Sequence, residues 1–169
     1  MSEFLDQIEA CVPALRRYAQ ALTRDADVAD DLVQDCLERA LRRRGLFRPI
    51  GPIRAWLFTI LLNLYRNRLR TSRRQGEVVP FDDMPVEPAV PPGQPGHIAL
   101  AEMARAIDAL PTEQKEALLL IALEGLSYGE AAGILGIPLG TLMSRLGRAR
   151  AALRLATGTS TEPHLRTVK

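Results

Sequence analysis

Five side chains between residues 63 and 74 have the types and spacing to grip nucleic acid together. Asn63, Arg66, Asn67, Arg70 and Arg74 follow i, i+3, i+4, i+7 and i+11, so a helix places them on one face. Arg73 extends the basic run beside them. Guanidinium forks hold phosphates and stack on exposed bases, and a carboxamide offers a base edge both a donor and an acceptor. The alternative for the arginines is a solubilising surface, which fits less well because solvated helices usually mix charge signs. Trp56, at the start of the helix that would carry them, could support a displaced base or serve as core; its apolar period leaves both open.

A second constellation lies near the C-terminus. Thr141, Ser144, Arg145 and Arg148 fall on the first turns of a helix, off the face that carries Leu142 and Leu146. From Thr141 to Ala156 there are four arginines and no acid. The N-terminal residues of a recognition helix reach base edges, while Arg and Ser also hold phosphates. A plain helical hairpin with a basic face is the competing reading. A third group, Asp27, Asp30, Asp31, Asp35 and Glu38, is either a solvated face with acids well placed near a helix N-terminus or a surface for a basic partner.

The elements that must position these groups all read as helices. A short apolar stretch around Phe4, Leu5 and Ile8 precedes Pro13, which is expected near the start of a second helix bearing Leu15, Tyr18, Ala19 and Leu22. Asp25 is the expected N-cap of the acidic helix, whose apolar positions run from Val28 to Leu41 at helical spacing. A turn-rich stretch, 45–52, separates it from a helix over 53–74. Six of the twelve prolines fall between Gln75 and His97, together with four acids and no base, which predicts an extended acidic linker. Beyond it, helices are expected over 98–110, from Thr112 towards Gly125, over a short stretch capped by Ser127 and Glu130, and over about 138–155. The short capped helix, the Gly136 turn and the last helix spell a helix-turn-helix.

The fold expected is therefore all-α: two small helical domains, 1–74 and 98–156, joined by a flexible Pro-rich linker over 75–97 and followed by a disordered tail over 157–169. A net charge of +2 conceals strong segregation. Residues 1–38 carry nine acids and three bases, whereas residues 39–76 carry eleven arginines and no acid. The basic block calls for a polyanion, and the acidic block calls for a basic partner. Two cysteines, Cys11 and Cys36, exclude a disulfide scaffold and read as buried thiols in a reducing compartment. The N-terminal residues do not read as a secretion signal, and no run approaches eighteen apolar residues, so a cytoplasmic protein without membrane insertion is expected. The chain has no GxxxxGK[ST] or HExxH pattern and no Cys/His cluster, so neither an enzyme, a cofactor nor a metal is expected.

Three stretches together resemble the extracytoplasmic-function, or group 4, sigma factors of bacterial RNA polymerase. DADVADDLVQDCLERAL at 25–41 is similar to that family's core-polymerase-binding helix, and PIRAWLFTILLNLYRNRLR at 52–70 to its minus-10 helix. LPTEQKEALLLIALEGLSYGEAAGILGIPLGTLMSRLGRARAAL at 110–153 is similar to region 4, which reads the minus-35 element. The resemblance implies that Asp31, Gln34, Asp35 and Glu38 face core RNA polymerase, through its beta-prime and beta subunits. It implies that the loop 45–52 holds a flipped minus-10 base and that Asn63, Arg66, Asn67, Arg70, Arg73 and Arg74 contact minus-10 promoter DNA. Thr141, Ser144, Arg145 and Arg148 would approach minus-35 DNA. An anti-sigma factor is the implied regulator. Met143 and Gly147 depart from the family pattern on the exposed side of the recognition helix, so DNA shape would carry more of the readout there. The competing reading is a sigma-like mimic that sequesters an anti-sigma factor without binding DNA; the exposed Arg run disfavours it.

Overall fold

The computed structural model describes residues 2–46, 52–76 and 95–158. Most of the loop expected to hold a flipped base (47–51), the interior of the Pro-rich linker (77–94) and the tail beyond Gly158 lie outside the described residues. Within them the chain forms seven α-helices and a single 3-10 turn at Arg44–Leu46.

Helix α1 spans Ser2–Thr23 without a break, so Pro13 sits inside it rather than at the start of a second helix. The apolar stripe explains the difference. Ile8, Cys11, Leu15, Tyr18, Ala19 and Leu22 are all buried and continue at helical spacing straight past the proline. Pro13 and Glu9 both face outward, where water can take the carbonyl that Pro13 leaves without a donor. An interior proline costs about 3 kcal/mol, and each fully buried Leu-sized side chain returns roughly 1.5–3 kcal/mol.

Helix α2 spans Ala26–Arg42, and Asp25 caps it by accepting from the Val28 amide at 3.0 Å. Helix α3 occupies Ile53–Arg74, as its apolar period predicts. Helices α1, α2 and α3 pack on one another, with Tyr18 set edge-on against Phe58 at 5.3 Å between ring centres. The thiol of Cys36 donates to the Leu57 carbonyl at 3.4 Å inside this bundle.

Helix α4 runs from Pro95 to Asp108. It starts three residues before the expected helix start at Ile98, because proline is well suited to a first helical position. Helix α5 (Thr112–Ala122) is buried without interruption from Lys115 to Leu120. Helix α6 (Tyr128–Leu135) carries the expected capping box: Ser127 Oγ accepts from the Glu130 amide at 3.2 Å and Glu130 Oε2 from the Ser127 amide at 2.9 Å. Gly136, at φ +66°, closes it in the left-handed conformation that a side chain would disfavour. Helix α7 spans Leu139–Ala156 and buries Leu142, Leu146 and Ala149 against α4, α5 and α6. The two halves also pack on each other, through α1 against α5 and α3 against α6.

Candidate nucleic-acid interface

Helix α3 buries Leu57, Phe58, Leu61, Leu62 and Tyr65, which turns Asn63, Asn67, Arg70, Arg73 and Arg74 to the exposed side. The Arg70 guanidinium donates to Asn67 Oδ1, which links two members of that face. Arg66 lies on the same face and is differently placed. Its side chain is only 33% exposed, and its guanidinium forms a two-pronged pair with Glu116 of α5, Nε to Oε1 at 3.2 Å and Nη2 to Oε2 at 2.7 Å. Those hydrogen bonds hold Arg66 protonated to a pH above the usual guanidinium range. Trp56 is half-buried, and its ring lies tilted against Phe4 with centres 6.5 Å apart.

The acidic helix is also less free than a solvated face would be. Asp35 accepts from Arg68 of α3 at 2.7 Å, and Gln34 donates to Glu38, which also pairs with Arg42. Asp31 is exposed and forms no ion pair among the described residues. Asp35 and Asn67 share an open groove of about 340 Å³ between α2 and α3, lined further by Arg68, Thr71 and Ser72. The groove joins the edge of the acidic surface to the edge of the Arg–Asn face.

On α7, Ser144 and Arg148 are exposed and Thr141 is half-buried. The Arg145 side chain is only 18% exposed and pairs with Glu113 of α5 at 3.4 Å. Arg148 forms no ion pair among the described residues and stands as the open cation of the first turns. Arg150 donates to the Tyr128 hydroxyl at 3.1 Å and braces α7 against α6. Met143 and Gly147 both face outward, and open space surrounds the Gly147 position. The helix-turn-helix thus presents Ser144 and Arg148 on a surface that is otherwise short of polar reach.

Sequence reasoning missed a third group, the ion pairs between the two halves. Glu124, whose side chain is fully buried, accepts from Arg17 Nε at 3.0 Å and Arg17 Nη2 at 2.8 Å. It also accepts from Arg54 Nη2 at 3.0 Å, and the same Arg54 nitrogen reaches the Glu124 carbonyl at 2.8 Å. Arg54 lies over the Phe58 ring at 5.6 Å, and its Nε is buried without a hydrogen-bond partner. The Tyr18 hydroxyl donates to the Glu116 carbonyl at 3.1 Å, and Arg24 pairs with Asp108 at 3.1 Å. The signal available was phase. Glu116 stands three and four residues before Leu119 and Leu120, so it lies on the inward face of α5.

Among the described residues, no helix is long and apolar enough to cross a membrane. No cluster of three His, Cys, Asp or Glu side chains among them could hold a metal.

A helical bundle with an exposed Arg–Asn face in one half and a helix-turn-helix in the other give the chain the two-part form of a sigma-type transcription factor. Two family models divide the chain accordingly: the sigma2 domain of PhyR matches residues 8–62, and sigma-70 region 4 matches residues 100–153. The chain belongs to the extracytoplasmic-function (ECF) family of RNA polymerase sigma factors. The ECF sigma factor EcfG of Rhodopseudomonas palustris (strain TIE-1) is 46% identical over 148 residues, which cover 88% of this chain and 81% of that protein. The sigma factor RpoE of Bartonella quintana, solved in complex with the anti-sigma factor NepR, has a TM-score of 0.77 at 35% identity. That match covers 95% of this chain and 99% of the solved one. The anti-anti-sigma factor PhyR of the same organism, solved with NepR, has a TM-score of 0.61 at 19% identity and covers 90% of this chain and 49% of its own. At that identity the likeness is one of fold alone. Sigma factors are DNA-binding regulators of transcription, and the family reading favours that role over the mimic.

Proposed function

We propose that this chain binds core RNA polymerase through α2, reads minus-10 DNA with α3 and docks α7 on minus-35 DNA. The observation that carries the reading is the α3 surface: Asn63, Asn67, Arg70, Arg73 and Arg74 stand exposed together, with no acid anywhere on the helix. Carboxamides among guanidiniums suit splayed bases on a phosphate backbone, and a sequestering mimic has no use for them. Asn63, Arg66, Asn67, Arg70, Arg73 and Arg74 form the minus-10 set. Thr141, Ser144 and Arg148 form the minus-35 set, with Arg145 supporting them from its pair with Glu113. Asp31, Gln34, Asp35 and Glu38 form the polymerase-facing set. Residues 1–74 and 98–156 act as separate DNA-reading units in the initiating complex, which forms in the cytoplasm. The relative solved with NepR supports control by an anti-sigma factor, and two small halves joined by a linker suit one that engages both.

Run-off transcription with core RNA polymerase and a library of candidate promoters tests the reading. Promoter-dependent transcripts that vanish with Asn63→Ala are expected. A chain that binds an anti-sigma factor and yields no transcript from any promoter would instead be the mimic.

A further inference from the structure

Three of the arginines that join the two halves meet buried carboxylates. Glu116 and Glu124, whose side chains are almost completely enclosed, take up Arg66, Arg17 and Arg54 from the other half. Buried carboxylates held in this way are strongly directional, because either partner alone would be left charged and desolvated. Arg66 is also a member of the Arg–Asn face. The Nε–Nη2 edge of its guanidinium, taken up by Glu116, cannot fork onto a DNA phosphate at the same time, and the pairing leaves the side chain only 33% exposed.

We propose that Glu116 and Glu124 are an internal latch, which holds the free chain closed by occupying Arg66, Arg17 and Arg54, so that minus-10 DNA must displace Glu116 to be read. This rests on the DNA-binding function proposed above. The carboxylate is the chain's own stand-in for a phosphate: both are anionic oxygen pairs that accept the same guanidinium fork. The latch is built to release. Arg54 Nε has no acceptor in the closed arrangement, so closure leaves one buried donor unsatisfied, and opening lets water satisfy it. Arg17, Arg24 and Arg54 are each more than a third exposed, so salt reaches the junction and weakens it. A closed majority lowers the apparent DNA affinity by the fraction of chains that are open.

The test uses the full chain with Glu116→Gln, Glu124→Gln and the double substitution. Two readouts are taken: the radius of gyration from solution scattering, and binding of a fluorescein-labelled single-stranded DNA of mixed sequence. The double variant should be larger than the parent at low salt, and the parent should expand towards it as salt rises. Glu116→Gln should bind the single strand at least about fivefold more tightly, in the range of ordinary allosteric coupling. That gain should disappear in an Arg66→Ala background, since the competition is for this one side chain. The paired exchange Arg66→Glu with Glu116→Arg should close the chain again without restoring DNA binding, and helical circular dichroism confirms that each variant is folded. If the double variant keeps the parent's dimensions at every salt concentration, the latch does not exist, whatever the DNA result. If the variants open and Glu116→Gln gains no affinity while the parent does bind DNA, the competition is overturned. If the variants open and no form binds DNA, the DNA-reading function itself fails.

Discussion

Arg145 and Arg148 are three residues apart on α7 and chemically identical, yet their surroundings predict different failures. Arg148 is exposed on the first turns, so Arg148→Ala removes an open cation, which the proposed minus-35 role assigns to a phosphate, and little else. Each phosphate contact contributes about 0.9 to the slope of log affinity against log salt. Over a fourfold change in salt, such as 50 to 200 mM, losing one contact therefore shrinks the mutant's relative defect by about 3.5-fold, or roughly 0.7 kcal/mol. The deficit is largest at low salt and fades as salt rises. Arg145 is mostly covered and pairs with Glu113, so Arg145→Ala removes the packed stem of the side chain and leaves the slope nearly unchanged. Its expected signature is a loss of stability of about 1 kcal/mol. Fluorescence anisotropy with duplex DNA at several salt concentrations measures the first quantity, and urea unfolding measures the second. Nonspecific duplex suffices, because the phosphate term does not depend on sequence. An unchanged slope for Arg148→Ala, or an equal fall in slope for both variants at undiminished stability, would refute the assignment.

Other perturbations have equally definite outcomes. Ser127→Ala removes the reciprocal cap of an eight-residue helix and should cost about 1 kcal/mol in urea unfolding, with weaker duplex binding because α6 no longer sets α7; unaltered stability would count against the cap. Asp31→Lys should weaken capture of core RNA polymerase with no change in unfolding midpoint, whereas Asp35→Lys should also lower that midpoint, since Asp35 holds Arg68; equal polymerase capture by parent and Asp31→Lys would remove α2 from the polymerase interface. Burial pushes the Cys36 thiol from 9.0 up to about 12, and burial likewise raises the Tyr65 phenol from 10.0 to about 12. A raised folded value means that the native state keeps protons which the unfolded chain gives up. Stability should then be fully present below pH 9 and fall from pH 9 to about 12 through Cys36 and from pH 10 to about 12 through Tyr65, by up to roughly 1.4 kcal/mol per pH unit for each group. Urea midpoints across that range measure it, and a flat profile, or rapid alkylation of Cys36 in the native protein at neutral pH, would contradict the burial.

What the sequence made legible is what repeats along one helix. The apolar period placed α3 at its observed limits, and the Ser127–Glu130 spacing announced the start of α6, because both signals lie within a few residues. Pro13 misled because its local preference for a helix start is outweighed by the apolar stripe on either side of it. The Arg–Asn face was legible as a face, and the engagement of Arg66 was not. Its partner lies fifty residues away and Arg17's lies 107 away, and no periodicity links residues across such distances. The eleven arginines of 39–76 therefore looked uniformly available, whereas Arg54, Arg66 and Arg68 each have a carboxylate partner.

Helix α5 has a consequence for the life of the protein between partners. Most helices turn one stripe inward, but here six successive positions, Lys115 to Leu120, are covered, by α6 and α7 on one side and by α1 on another. Separating the halves strips away only the second cover, the side that Tyr18 and Leu22 of α1 provide. The parted form then shows a greasy strip edged with charges that have lost their counterions, the kind of surface that chaperones and proteases sample first. Such a form is costly to leave unaccompanied. A molecule that pulls the halves apart must bring a replacement lid, and an abrupt loss of that molecule returns the chain either to its own embrace or to degradation. The half-life of the protein in the cell should accordingly follow the supply of its partners.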